Sequence, residues 1–423
     1  MPQSLTARCV GTTGDTFCQP FYKTHSAATG NHYGVGEVGE SNFFRDAKFS
    51  CDGTTIVAHT EDQFLRTFIL PVDLLDECDG PHSLTTYSTL ASPSTLQSYV
   101  LYPAFNLQDT STTLVLSAAK DLPITLRNAL DYDTIHGHYV FENPLREQYL
   151  LSYSLAFSTY GSHFIAGGAN RLAIFDTSRP GECPLFTFKT GYNWKERKFC
   201  GKVAQSLTGA VSSLSMSTDG ILAAGTFSRN IGLYSQEGAG ECMATWSLVD
   251  FNKGHETNGT GVTSLKWSPC GTYLLIAERQ SDVLQVYDVR NTYQRIAVLA
   301  GRKAQTPQRM GTDVVPTADG YDVWAGGTDG FARKWKNPGD SQGVQYPDDE
   351  IRVHDDHVSS VIWHPEQAVL ATCSGKRFSR LPADSEISSD EDTNQDISIT
   401  KNSGCSSKSP IAIPDNTLRV WAL

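Results

Sequence analysis

The sequence predicts an all-β fold, a seven-bladed WD40-type β-propeller with loop insertions. A strand–turn–strand unit recurs along the 423 residues. Each clear copy closes its first strand with a Gly turn. The distance from that Gly to the next strand-ending aromatic is nearly constant, at 15, 14, 14, 16 and 15 residues in five copies. Short strands and Gly-rich turns at a period of about 40–50 residues suit propeller blades, in which each small sheet buries both faces against its neighbours.

The first copy reads Ala47-Lys48-Phe49-Ser50-Cys51-Asp52-Gly53, then Phe64-Leu65-Arg66-Thr67-Phe68. Gly161, Gly220, Gly271 and Gly320 close the corresponding turns, with Phe175, Tyr234, Tyr287 and Trp335 as the aromatics. The 108-residue gap from Gly53 to Gly161 holds a degenerate copy at Tyr99–Tyr102, Thr113–Ser117 and Ile124–Leu126. The last copy starts at Val361-Ile362-Trp363-His364-Pro365, is interrupted, and closes with Leu418-Arg419-Val420-Trp421. Small runs such as Ala166-Gly167-Gly168 suit crowded inner strands. Only Asp176 and Asp288 end a repeat with Asp, so the repeats are divergent and an array of β-sandwiches is the alternative.

The expected organisation is an N-terminal segment, 1–41, followed by one propeller over 42–423. The chain stops just after a third strand, so the last blade needs an outer strand to cover its open edge. A segment within Phe17–Thr24 is expected to supply it. Insertions are expected near 72–98 and 190–206. A third, near 378–412, is Ser-rich and acidic and reads as a disordered loop, with Ser388 and Ser389 as phosphorylation candidates.

Composition excludes several function classes. No run of ~18 apolar residues exists, which argues against a membrane partner, and Met1–Thr6 lacks a signal-peptide pattern. The ten cysteines show no C-x2-C spacing and read as free thiols. There is no phosphate loop and no G-x-S-x-G elbow. The histidine groups His354, His357, His364 and His136, His138 have no convergent Cys or acid pair. The expectation is no enzyme, no metal, no cofactor and no small-molecule substrate.

The net charge of -12 argues against a general nucleic-acid coat but leaves room for a local basic face. Tyr192 and Trp194 lie among Lys195, Arg197 and Lys198, offering rings to stack bases and charges to hold phosphates. A second cationic window, 290–310, contains Arg302, Lys303 and Arg309. Inter-blade loops and the loops between second and third strands share one face of a propeller. Arg171, Arg229 and Arg279, with the pair Lys376–Arg377, are therefore expected on the same rim, diluted by Glu278, Asp282 and Asp329.

Several stretches carry a more specific likeness. They include Asn42-Phe43-Phe44, Thr177-Ser178-Arg179-Pro180-Gly181, Gly225-Thr226-Phe227-Ser228-Arg229-Asn230, Gln308-Arg309 and Leu370-Ala371-Thr372-Cys373-Ser374-Gly375-Lys376-Arg377, followed by the acidic insertion. In this order they resemble the telomerase Cajal body WD-repeat protein family, which has a more distant yeast relative linked to pre-mRNA splicing. The resemblance implies an RNA-binding scaffold for small nuclear or Cajal-body-type RNA. It also implies ribonucleoprotein partners, including telomerase in animals, and a location in the nucleus first and the cytoplasm second. The long N-terminal extension of animal members is reduced here to about 41 residues. The competing reading is a protein–protein scaffold, in pre-mRNA splicing or as a G-protein-β-like adaptor, without direct RNA binding.

Overall fold

The structure is a computed structural model describing residues 6–14, 20–21, 40–143, 148–191, 207–249, 258–292, 294–376 and 415–423. Seven sheets, each with four antiparallel strands, follow one another along the chain and form a seven-bladed propeller. Blade 1 is Phe44–Phe49, Thr55–Thr60, Phe64–Ile69 and Ser88–Ala91. The first strands of blades 2 to 7 are Leu96–Leu101, Ser154–Phe157, Val211–Met216, Val262–Trp267, Thr312–Thr317 and Val358–Trp363.

The turns that define the repeat share one geometry. Ser50, Ser158, Ser217 and Ser268 each donate a backbone N–H across the hairpin, and the Gly three residues on donates back to the Ser carbonyl at 2.9–3.2 Å. Those glycines, Gly53, Gly161, Gly220 and Gly271, all have φ between 67° and 73°, a left-handed conformation costly for other residues. Gly167, Gly225 and Gly326 meet a second constraint: a Cβ there would lie 2.5–2.9 Å from Val211, Val262 or Val358 at the start of the next blade.

The core is distributed. Seven apolar clusters among the described residues each span one blade–blade boundary. Val57 and Leu65 of blade 1 meet Tyr99 and Leu101 of blade 2, for example. Phe44 and Ile56 of blade 1 meet Val369 and Leu418 of blade 7, closing the ring. This is why both faces of each strand read as apolar: no blade has a solvent face to spare.

The outer strand of blade 7 is Arg8–Thr12, antiparallel to Leu418–Ala422. The Phe17–Thr24 assignment is corrected: only 20–21 of that segment is described, paired with 40–41. The physical difference is reach, because Arg8–Thr12 also buries Val10 in the blade 7–blade 1 cluster. His82–Ser83 adds a parallel strand outside it. The stretch near 72–98 therefore contains structure the insertion reading overlooked: the outer strand of blade 1, Ser88–Ala91, and the start of blade 2. Residues 192–206 and 377–414, including Ser388 and Ser389, lie outside the described residues.

Deleting residues 1–13 removes those ladder bonds and Val10. A loss of about 3 kcal/mol and a melting temperature lower by roughly 3 °C are expected by thermal denaturation. An unchanged Tm would show that the strand contributes nothing to closure.

Blade 7 also carries a buried hydrogen-bond chain through His354, one of the histidines for which the sequence offers no convergent Cys or acid pair. Trp421 Nε1 donates to Thr372 Oγ1 at 2.9 Å, which is 2.8 Å from His354 Nε2. His354 Nδ1 lies 3.3 Å from Asp415. A neutral His354 with its proton on Nδ1 satisfies every link: Trp to Thr, Thr to His, His to Asp. Burial keeps His354 below its ordinary pKa. Burial would raise Asp415, but hydrogen bonds from His354, the Asp355 N–H and Thr417 hold it well below the usual carboxylate range.

Candidate nucleic-acid interface

The seven first strands converge on the axis and leave a central channel of about 930 Å³, to which all seven blades contribute. Its wall carries six cations, Arg45, Lys48, Lys266, Arg279, Arg309 and Lys376, against three carboxylates, Asp46, Glu61 and Asp313. On a chain of net charge -12 this is a local reversal of sign.

Two carboxylates are matched within the wall. Glu61, 2 % exposed, pairs with Arg45 at 3.5 Å, and Asp313 pairs with Lys266 at 2.9 Å. Lys48 donates to the Tyr99 carbonyl at 2.6 Å and lies over the Tyr99 ring. Burial, with repulsion from Lys266 and Arg309, lowers its pKa although Asp46 opposes this.

The mouth combines cations with rings. Phe227, on the loop between the second and third strands of blade 4, has the Arg279 guanidinium 4.8 Å and the Arg309 guanidinium 5.9 Å from its centroid. Tyr153 meets Phe227 edge-on at 6.2 Å. Neither arginine forms an ion pair with a carboxylate among the described residues. Arg309 is exposed to channel solvent yet ringed by protein, and donates to the Ser212 carbonyl at 3.3 Å. That enclosure, with repulsion from Arg45 and Arg279, lowers its pKa against the pull of Asp46. Two stacked guanidiniums beside a ring can grip phosphate oxygens or stack on a base.

The sequence-predicted cations do not all share this rim. Arg279 and Arg309 face the channel. Arg229 is close by but committed, its Nε 2.6 Å and Nη2 3.0 Å from the two oxygens of buried Glu278. Arg302 is corrected as a phosphate contact: it is 3 % exposed and donates to the Ser281 carbonyl at 3.1 Å. Burial pushes its pKa down to about 10. Lys303 is exposed, 3.9 Å from Asp329. Arg171 is half-buried on blade 3, opposite Lys189 in register. None of these three lines the channel. Tyr192, Trp194, Lys195, Arg197 and Lys198 lie outside the described residues, as does Arg377. Arg45, Tyr153 and Phe227 were missed. The one available signal was Phe227 within the family-like stretch at 225–230.

No group of three His, Cys, Asp or Glu among the described residues could hold a metal ion. The seven described cysteines are free. No described helix is long and apolar enough to cross a membrane.

His59, in the channel wall, has its pKa pushed down to about 3, by burial first and then by repulsion from Arg45. The unfolded chain takes up this proton near pH 6.5, while the folded chain does not. Stability is fully present above about pH 6.5 and falls as pH drops, by about 1.4 kcal/mol per pH unit from this residue. Urea titrations should show a loss of about 2 kcal/mol between pH 7.5 and 5. His59→Asn should flatten the curve, and an unchanged slope in that variant would count against the assignment.

Comparison with known proteins fits this geometry. A WD domain, G-beta repeat family profile matches residues 240–288 and 347–378. The chain is 32 % identical over 300 residues to Guanine nucleotide-binding protein negative regulator 1 of Schizosaccharomyces pombe, covering 70 % of this chain and 71 % of that protein. It is 26 % identical over 349 residues to Telomerase Cajal body protein 1 of Bos taurus and of Homo sapiens, covering 81 % of this chain. The chain belongs to this telomerase Cajal body WD-repeat family. It spans 60 % of the bovine and 59 % of the human protein. Members of the family are WD40 scaffolds, and the resemblance read from the blade sequences is confirmed.

Proposed function

We propose that this chain is a non-enzymatic RNA-binding scaffold that holds a single-stranded segment of small nuclear or Cajal-body-type RNA across the channel mouth. It supports localisation or assembly of ribonucleoproteins in the nucleus. The observation that carries this reading is the mouth itself: Arg279 and Arg309 stacked on Phe227, unmatched by carboxylates, on an otherwise acidic ring. Affinity from phosphate contacts and tolerance from ring stacking are what a single strand requires. The Cajal-body relatives support the choice of RNA class and compartment.

Fluorescence titration of a labelled single-stranded RNA across salt tests it. Binding that weakens linearly in log–log coordinates is expected, with a slope of about -0.7 per phosphate contact. Absence of binding at low salt would end the reading.

A protein-adaptor reading rests on a different observation. Tyr160 (85 %), Phe186 (56 %) and Met243 (58 %) are exposed on blades 3 and 4, at strand ends away from the mouth. Exposed aromatics and Met are typical anchors for protein partners. Partners that survive RNase treatment but are lost in Phe186→Glu would support it.

A further inference from the structure

The channel carries one feature that an RNA strand lying across the mouth does not use. His59 is 6 % exposed and lines the channel, and its Nε2 has no hydrogen-bond partner. Buried polar atoms are nearly always partnered, so an orphan nitrogen at a cavity wall calls for an explanation. Around it stand Arg45, from the first strand of blade 1, and Arg309, just before the first strand of blade 6. Lys48 lies deeper on the same strand as Arg45. Asp46, also in the wall, is the one channel carboxylate without a lysine or arginine ion pair among the described residues.

We propose that the throat between Arg45, His59 and Arg309 binds a phosphomonoester, the doubly ionisable terminal phosphate of an RNA end or of a free polyphosphorylated small molecule. Two guanidiniums, that of Arg45 holding Glu61 through its Nε at 3.5 Å and turning its remaining N–H groups to the ligand, and an imidazole N–H match three phosphate oxygens. The ring argues for a terminal group over an internal one. Walls from seven blades enclose the throat, so a phosphodiester flanked by two nucleosides would have to loop in and out. A terminal phosphate enters end-on. A volume of about 930 Å³ lies within the range of small-ligand cavities. The two sources share this chemistry, and the site shares Arg309 with the proposed RNA mouth, so the three probes on the unaltered chain separate the two readings.

The test uses the full chain with three probes: tripolyphosphate, a short RNA with a 5′-phosphate, and the same RNA with a 5′-hydroxyl. Calorimetry should show tripolyphosphate binding that is lost at least tenfold in Arg309→Gln and in His59→Leu. The two variants guard against a folding defect in either, and a circular-dichroism melt reports it. If an RNA end is the source, the phosphorylated RNA binds about tenfold more tightly than the hydroxyl form. If a free compound is the source, tripolyphosphate binds while both RNAs bind alike. Tripolyphosphate that fails to bind, with both RNAs equal, overturns the site but leaves the RNA reading standing. Tripolyphosphate that binds while neither RNA does upholds the site and overturns RNA binding.

Discussion

Replacing Arg279 and Arg309 together with glutamine is expected to weaken single-stranded RNA binding about 100-fold at low salt and to reduce the log–log salt slope by about 1.4. The magnitude follows from two lost charge-assisted contacts, each worth about 1.5 kcal/mol or roughly tenfold. The fold should survive, because neither side chain forms an ion pair among the described residues and both sit on solvent in the channel. Two controls sharpen the result. Arg302→Gln should leave RNA affinity alone, since that side chain is enclosed. Arg229→Gln should cost stability instead, by leaving Glu278, 4 % exposed, without its bidentate partner. Equal RNA affinity in the double variant and the parent would remove the mouth as the interface.

The second large effect lies in blade 7. His354→Ala deletes the middle of the Trp421–Thr372–His354–Asp415 chain and leaves Asp415 short of one partner in a site that is 8 % exposed. A destabilisation of about 3–4 kcal/mol is expected, read as a lower urea midpoint. Trp421→Phe, which removes one hydrogen bond at the end of the chain, should cost about 1 kcal/mol. The double variant His354→Ala/Asp415→Ala should cost less than the sum of the two singles, because both break the same network. Additive losses would show that the groups act independently. The effect should be visible on ring closure, since the third strand of blade 7, Leu418–Ala422, is the partner of Arg8–Thr12.

How far the sequence reaches can be judged at particular residues. Gly53, Gly161, Gly220 and Gly271 announced the blades because a Gly-closed turn is a local event, decided by backbone sterics within a few residues. The missing outer strand was legible in the same way, as a blade with three strands. Which segment fills it was not, because pairing of Arg8–Thr12 with Leu418–Ala422 joins residues some 410 positions apart and depends on Val10 finding a pocket. His354 carried no signal in the sequence, since its partners Thr372, Asp415 and Thr417 lie on the second strand and on the segment leading into the third.

The interface divides along the same line. Composition and order of motifs determined a seven-bladed ring of one family, acidic overall, whose cationic face had to be local. They named Arg279 and Arg309 but grouped them with Arg229 and Arg302, which are equally cationic in the sequence. Only the tertiary structure decided that Glu278 neutralises Arg229, that burial encloses Arg302, and that Arg279 and Arg309 stack on Phe227. The reason is physical: charge is a property of a residue, but its availability depends on carboxylates, carbonyls and rings from other blades, and in a closed ring those neighbours come from every part of the chain.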